Sequence, residues 1–126
     1  MIKALISDFG GVLMRTRTGG SRRALEQRLG LPPNTIEARV FNSDLSLKAM
    51  CGEVSEDELW RALERELDLP RFGMTWQEFQ DEFFAEDFLD EELVALIYSV
   101  RPGLKTGLIS NAWDGLRAYI RREKFD

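Results

Sequence analysis

The sequence predicts an α/β fold in which two short parallel strands flank a long helical insertion. The first observation is the apolar run from Ile2 to Ile6, which is too brief for a typical helix. The second is a similar short run from Lys105 to Asn111 near the end of the chain. The third is the helical patterning that fills most of the sequence between them. Two strands joined by so long a crossover are typical of a parallel pair.

The end of the first strand is the predicted position of a catalytic nucleophile. The run from Ile2 to Ile6 fits a strand that is buried on both faces of a parallel sheet. Asp8 follows at its carboxyl end, and Gly10 and Gly11 come directly afterwards. Open α/β sheets bind ligands at this edge, and glycines let the backbone approach an anion closely. Asp8 could also be an ordinary turn aspartate that accepts hydrogen bonds from its own loop.

The next part of the chain is interpreted as a loop and three short helices. The loop covers Met14 to Gly20, and Ser21 is the predicted cap of a first helix that stops at Gly30. A second helix is expected over residues 34–42, with its first residue as the cap. Residues 45–50 are interpreted as further helical turns, with a strand as the alternative.

Two later helices begin at capping boxes. The boxes lie at Ser55 to Glu58 and at Thr75 to Glu78, and Asp90 is the predicted cap of another helix. A closing helix follows the second strand, so residues 1–14 and 89–126 form the predicted α/β core around a helical subdomain of residues 15–88. The apolar stripes of the two boxed helices comprise Leu59, Trp60, Leu63 and Leu67, and Trp76, Phe79, Phe83 and Phe84.

Composition excludes several classes of protein. A formal net charge of −5 argues against binding of nucleic acid or of a membrane surface, because both require a basic footprint. No apolar run approaches the roughly 18 residues of a membrane span. The single Cys51 cannot form an internal disulfide, which favours a cytoplasmic protein. Residues 53–92 hold fifteen acids and three arginines, which indicates a solvated helical face or a docking surface for a basic partner.

Two motifs in this order resemble those of the haloacid dehalogenase-like (HAD) hydrolases. They are Ile-Ser-Asp-Phe-Gly-Gly-Val-Leu around Asp8 and Gly-Leu-Ile-Ser-Asn ending at Asn111. The resemblance spans the whole chain and implies a Rossmann-type core with a helical cap inserted after the first motif. Asp8 matches the nucleophile of the family, and Ser110 matches the serine or threonine of its second motif. The alternative for Ser110 is a helix cap at the exit of the strand.

The resemblance implies a phosphatase-like hydrolase that acts on a small phosphorylated metabolite. Asp8 would attack the phosphorus, with Mg²⁺ bridging its carboxylate and a phosphoryl oxygen. The metal ligands would be Asp8 and the backbone carbonyl of Gly10. Ser110, Asn111, Gly10 and Gly11 would bind the phosphoryl oxygens through a hydroxyl and backbone N–H groups.

Gly10 departs from the family pattern. Phosphatases of this family usually carry a second aspartate at this position, where it protonates the leaving group and then activates water. Loss of a general acid–base typically lowers the rate by ~10²–10⁴, so we expect weak activity restricted to good leaving groups. The metal-free dehalogenase branch fits less well, because a tyrosine is usual there.

The family pattern also continues beyond the 126 residues of this sequence. A lysine and an acidic motif on a further strand would follow, so we expect an N-terminal fragment of a longer hydrolase, with an incomplete metal site, that is inactive or weakly active by itself. Without later strands, one edge of the first strand would expose unpaired backbone groups, which predicts a homodimer formed by edge pairing or swapping.

Two other classes of function stay open at this point. One is a non-catalytic relative that binds phosphate or a phosphometabolite, and the other is an acidic helical interaction module in which the match at Asp8 is accidental. A first segment that was not paired with the segment ending at Ser110 would favour the module. Arg15 and Arg17 are the candidates for contact with an anionic substrate, since they follow the site loop closely.

Overall fold

The computed structural model describes residues 1–124, which contain four short strands, seven α-helices and one 3₁₀ turn. Residues 125 and 126, which the predicted core includes, lie outside the described residues. The strands are β1 (Ala4–Ser7), β2 (Met14–Thr16), β3 (Asp87–Leu89) and β4 (Lys105–Leu108). The helices are α1 (Gly20–Leu29), α2 (Thr35–Asn42), α3 (Asp44–Met50), α4 (Glu56–Glu66), α5 (Trp76–Phe83), α6 (Glu91–Val100) and α7 (Leu116–Arg122), and the 3₁₀ turn is Leu69–Phe72.

The two predicted strands pair in parallel, as expected. In the register of β1 and β4, Ala4 lies opposite Lys105 and Ser7 lies opposite Leu108. This pairing confirms the α/β fold class, and it shows that the all-helical alternative is wrong. Within residues 1–124, no helix combines the length and the apolar character that a membrane span requires.

The expectation that β1 is buried on both faces is wrong. Leu5 is 38% exposed and Ile6 is 61% exposed, although both are apolar. The physical reason is that β1 has a single strand partner within residues 1–124. In addition, α6 and α7, the helices that flank β4 in the chain, contain no buried residue among those described. A strand needs cover from neighbouring layers before its side chains are buried.

The hydrophobic core lies in the helical part of the chain instead. Trp60, Phe79 and Phe83 are fully buried there, and their rings meet edge to face or stacked with centroids 6.1–6.3 Å apart. Both predicted apolar stripes contribute to it, with Trp76 and Phe84 partly buried at its margin. The buried members are Leu25, Leu29, Ile36, Val40, Ala49, Leu59, Trp60, Leu63, Leu67, Leu69, Met74, Phe79 and Phe83.

Local hydrogen bonds fix the starts of α4 and α5, and they confirm both predicted capping boxes. Ser55 Oγ accepts from the Glu58 N–H at 3.2 Å, while the Glu58 carboxylate accepts from the Ser55 N–H at 2.9 Å. Thr75 and Glu78 repeat the arrangement at 3.2 and 2.8 Å. Two of the acidic residues in 53–92 therefore accept hydrogen bonds from backbone N–H groups at the starts of helices.

The start of α1 differs from the prediction. The helix begins at Gly20, so Ser21 lies inside its first turn, where its hydroxyl is buried without a hydrogen-bond partner. The capping role passes to Glu86, whose carboxylate accepts from the Ser21 N–H at 3.0 Å and from the Thr18 hydroxyl at 2.6 Å. The cap of α1 therefore comes from a residue that is distant in sequence. Residues 44–50 are helical rather than a strand.

A short antiparallel ribbon replaces part of the predicted loop from Met14 to Gly20. Strand β2 pairs with β3, so that Met14 lies opposite Leu89 and Thr16 lies opposite Asp87. The chain leaves the α/β part along β2 and returns along β3, which makes this ribbon the connection between the two parts. The Asp90 N–H donates to the Leu13 carbonyl at 2.7 Å and extends the ribbon by one further bond.

Candidate functional site

The parallel pairing brings the two predicted motifs to one edge of the sheet. Ser7 lies opposite Leu108, and the Ile109 N–H donates to the Ser7 carbonyl at 2.9 Å. Asp8 comes one residue after this pair, and Ser110 comes two residues after it. Both side chains therefore follow the carboxyl ends of adjacent parallel strands, where α/β sheets bind ligands.

The Asp8 carboxylate is exposed and accepts one hydrogen bond from its own loop. Its Oδ1 accepts from the Phe9 N–H at 2.6 Å, and its backbone carbonyl accepts from the Ser7 hydroxyl at 2.8 Å. These local bonds fix the direction in which the backbone leaves β1. They are compatible with an ordinary turn aspartate, and the exposure of the side chain is also compatible with a nucleophile that solvent and ligands can reach.

The turn after Asp8 is tightly hydrogen-bonded. The Phe9 carbonyl accepts from the Val12, Leu13 and Met14 N–H groups at 2.9–3.2 Å. Gly11 has φ +75°, a left-handed conformation that favours glycine, and its N–H donates to the Met14 carbonyl at 2.8 Å. The Gly11 N–H is therefore engaged inside the turn, so binding of a phosphoryl oxygen to it requires the turn to rearrange.

Gly10 stands in a different environment from Gly11. A Cβ atom built at Gly10 meets no atom within 4 Å, and the backbone there is outside the left-handed region. Neither space nor conformation requires glycine at this position. The position next but one to Asp8 therefore has open space at the point where a side chain would begin.

Ser110 lines a cavity of the α/β part that has a volume of about 670 Å³. The cavity occupies the space between β1, β4, α6 and α7, and most of its lining is apolar, including Leu5, Ile97 and Ile120. Asp8 does not line it. Its apolar character and its position suit the packing of further hydrophobic groups better than the binding of a phosphate, so we assign the candidate site to the exposed edge beside Asp8.

The residues at this edge do not by themselves form a magnesium site. Among residues 1–124, no group of three or more His, Cys, Asp or Glu side chains lies close enough together to hold a metal ion. The predicted ligands, Asp8 and the Gly10 carbonyl, would supply two oxygens. Mg²⁺ takes six ligands in octahedral geometry and usually keeps several waters, so the described residues do not fit a complete site.

Two arginines nominated from the sequence have partners in the ribbon. Arg15 Nη1 lies 3.1 Å from Asp90 Oδ2, and the Arg17 guanidinium lies over the Phe88 ring at 4.8 Å from its centroid. The Arg15 interaction and the hydrogen bond from the Leu93 N–H lower the pKa of Asp90, the latter being the larger cause. Arg15 of β2 therefore contacts the cap residue of α6, and Arg17, which follows β2, contacts β3.

Sequence reasoning missed the polar network that closes this ribbon against α1. Asp87 accepts from the Thr16 hydroxyl at 2.7 Å and from Arg22 at 2.9 Å. Burial raises the pKa of Asp87, while these two donors oppose the rise. Hydrogen bonds from Thr18 and the Ser21 N–H lower the pKa of Glu86. Arg22 and Asp87 are 65 positions apart in the sequence, so no local signal could identify their contact.

The fold has a counterpart among solved structures. A predicted HAD-like family hydrolase from Porphyromonas gingivalis matches with a TM-score of 0.63 and 29% sequence identity. The match covers 90% of the present chain and 53% of that chain. The chain has a HAD-like fold. The present chain thus spans about half the length of its HAD-like counterpart. No family model matches the sequence, and no curated protein matches it.

The HAD-like fold agrees with the fold class predicted from the two motifs. Strand β1 with Asp8 and strand β4 with Ser110 are the predicted strand pair of a HAD-like core, and they are adjacent and parallel in the structure. The structural match thus supports the relationship that the short motifs indicated.

Proposed function

We propose that this HAD-like chain acts as a phosphatase-like hydrolase on a small phosphorylated metabolite, with Asp8 as the nucleophile. The observation that carries the proposal is the parallel register of β1 and β4, which places Asp8 and Ser110 at one edge of the sheet. The HAD-like fold supports a hydrolase. The net charge of −5 and the free Cys51 fit a cytoplasmic protein without a nucleic-acid or membrane partner.

The proposed reaction has two displacements at phosphorus. In the first, a carboxylate oxygen of Asp8 forms a bond to phosphorus as the bond from phosphorus to the leaving alkoxide breaks, and the alkoxide takes a proton from water. In the second, a water oxygen attacks the same phosphorus, the bond to Asp8 breaks, and a proton is released to solvent. The Ser110 hydroxyl and the backbone N–H groups of Asn111 and Gly10 would donate hydrogen bonds to the phosphoryl oxygens in both steps.

Gly10 sets the expected rate of this reaction. It has no side chain to protonate the leaving oxygen or to activate the attacking water, and loss of such a group lowers rates by about 10²–10⁴. We therefore propose weak activity that depends on a good leaving group. HAD-like hydrolases generally use Mg²⁺, but no step here is assigned to the ion, because Asp8 and one backbone carbonyl do not make a complete site.

The decisive experiment compares substitutions at positions 8 and 10 with an aryl phosphate and an alkyl phosphate, each with Mg²⁺. We expect slow release from the aryl phosphate by the unmodified chain, and none by Asp8→Asn. Gly10→Asp should raise turnover of the alkyl phosphate, because it introduces an acid–base group at a position with open space around the Cβ atom. Gly10→Asn is the matched control, since it has the same size without an ionisable group.

Two results would contradict the proposal. Activity that survives Asp8→Asn would exclude Asp8 as the nucleophile. Turnover of the alkyl phosphate by the unmodified chain at ordinary phosphatase rates would show that Gly10 does not limit the reaction.

The second candidate function is binding of phosphate or a phosphometabolite without hydrolysis. Gly10 is the observation that favours it, because this position lacks the acid–base group on which the second displacement depends. Beryllofluoride, which mimics an aspartyl-phosphate, distinguishes the two functions when the complete protein is used. Its attachment to Asp8 favours the hydrolase, whereas phosphate binding without attachment favours the binding protein.

A further inference from the structure

The loop that follows the predicted phosphate-binding residues is anchored to the helical part of the chain. We call residues 112–115 the anchor loop. Within it, the Trp113 ring stacks on Phe41 of α2 with centroids 5.7 Å apart and planes 14° apart. The same ring meets Trp60 of α4 edge to face at 5.6 Å. Its Nε1–H donates to Ser46 Oγ of α3 at 3.3 Å, and Ser46 is fully buried.

The next residue makes a second and different contact with the same helices. Asp114 Oδ1 accepts a hydrogen bond from the Glu56 N–H at 3.0 Å. Glu56 is the first residue of α4, and N–H groups in the first turn of a helix have no partner within the helix. A carboxylate at this end also interacts favourably with the helix dipole. Asp114 thus supplies from the anchor loop part of the cap of α4.

The third contact is steric. A Cβ atom at Gly115 would clash with the Glu56 carboxylate, which lies directly against the glycine. Glu56 Oε1 is held in place by the Trp60 indole N–H and the Gln80 side-chain N–H, both at 3.0 Å. The backbone at Gly115 has φ −70° and is unstrained, so the need for glycine here comes from the close approach of α4.

We infer that docking of the anchor loop on α2, α3 and α4 positions Ser110 and Asn111, with Trp113 as the principal positioning residue. Ser110 and Trp113 are three residues apart, which is at most about 10 Å of extended chain. A movement of the helical part that carried Trp113 with it would therefore displace the end of β4. The effect on phosphate binding rests on the function proposed above, whereas the anchoring itself depends only on the contacts between the loop and the helices.

The strands and ion pairs of the ribbon connect the same two parts at the two ends of the insertion. Strands β2 and β3 form the covalent connection, and the anchor loop forms a separate noncovalent one. The ribbon and the anchor loop together define the orientation of the helices relative to the candidate site. The anchor loop is the connection that begins at the site itself.

The first test measures backbone order in the whole chain by NMR relaxation of the Ser110 and Asn111 amides. We expect lower order parameters in Trp113→Ala, and smaller decreases in Trp113→Phe and Ser46→Ala, which each lose the hydrogen bond. Trp76→Phe is the matched control, because Trp76 is also an aromatic residue at the margin of the helical core. If Trp113→Ala does not fold, Ser46→Ala still tests the inference, since it removes only the acceptor.

The second test measures binding of inorganic phosphate to the same variants. We expect Trp113→Ala to weaken binding about tenfold, as for loss of one hydrogen bond to a charged group, with no change in Trp76→Phe. Unchanged order at Ser110 and Asn111 in both Trp113→Ala and Ser46→Ala would overturn the inference. If the variants lower the order of Ser110 and Asn111 but the unmodified chain binds no phosphate, the anchoring is supported and the function proposed for the edge beside Asp8 is contradicted.

Discussion

Arg22 bonds both carboxylate oxygens of Asp87, at 2.9 and 3.0 Å, and thereby ties α1 to β3. The side chains of the two residues are only 10% and 11% exposed. Arg22 also donates to the Phe83 carbonyl at 3.3 Å and lies over the Phe83 ring at 4.3 Å, and it pairs with Glu37. A single buried cation thus joins the ribbon to the aromatic core of the helical part.

Removal of this cation should destabilise the chain strongly. Arg22→Leu leaves the largely buried Asp87 carboxylate without its cationic partner, so we expect a loss of about 3 kcal/mol in the free energy of unfolding, measured with urea. Arg28→Leu is the control, because Arg28 is half exposed and lies 3.7 Å from its partner Glu82. This substitution should lower the free energy of unfolding by less than about 0.5 kcal/mol. Equal losses would show that the buried pair has no special role.

The dependence of stability on pH should reflect two neighbouring carboxyl groups, Glu86 and Asp87, whose pKa values shift in opposite directions on folding. The pKa of Glu86 is lowered on folding by Thr18, so its contribution is present above the ordinary value of 4.5 and is lost as the pH falls through the folded value. The pKa of Asp87 is raised by burial, so its contribution is present below the ordinary value of 3.8 and is lost as the pH rises through the folded value.

These signs predict opposite effects of two substitutions. Between pH 7 and pH 3, Glu86→Gln should make the acid-induced loss of unfolding free energy shallower, whereas Asp87→Asn should make it steeper. Glu53→Gln, which replaces an exposed carboxyl in the turn before α4, is the matched control. The measurement is urea unfolding at several pH values, and equal slopes in the two ribbon variants would contradict this assignment.

Stability should be concentrated in the helices. Phe79 is fully buried, so Phe79→Ala should lower the free energy of unfolding by about 3–5 kcal/mol. Leu5 in β1 is 38% exposed, and Leu5→Ala should cost no more than about 1 kcal/mol. Amide hydrogen exchange should accordingly be slowest in α4 and α5 and faster in β1. A larger cost at Leu5 than at Phe79 would place the main core in the α/β part.

The exposed apolar side chains of β1 lead us to propose self-association. Ile6 is 61% exposed and Ile109 is 69% exposed, and β1 has one paired edge within residues 1–124. We expect the mass measured by light scattering to rise with protein concentration, and Ile6→Lys to suppress the rise. A stable monomer of 14.5 kDa at high concentration, with β1 amides protected from exchange, would contradict this proposal.

Features encoded by neighbouring residues could be predicted from the sequence. The capping boxes at Ser55 and Thr75 need only residues three positions apart, and the structure contains both. The parallel pairing of β1 with β4 followed from two short apolar runs and a long insertion, and the HAD-like fold followed from the motifs around Asp8 and Ser110. In each case the prediction rests on short stretches that can each be recognised by themselves, even where, as for β1 and β4, they lie far apart in the chain.

Features that depend on distant residues could not be predicted in the same way. Strands β2 and β3 have three residues each, too few for a period, and β2 contains the polar pair Arg15 and Thr16. The predicted cap at Ser21 was wrong because Glu86 occupies that role. The contact of Trp113 with Ser46 likewise joins residues 67 positions apart, and nothing near either residue indicates it.

The measurement that tests the central claim most directly is the detection of a phosphoryl group on Asp8. The chain would be incubated with acetyl phosphate and Mg²⁺, quenched in acid, digested and analysed by mass spectrometry. We predict a phosphorylated peptide that contains Asp8 and is absent in Asp8→Asn, because Gly10 provides no base to hydrolyse the intermediate quickly. Equal modification of the Asp8→Asn chain, or modification at another residue alone, would contradict the assignment of Asp8 as the nucleophile.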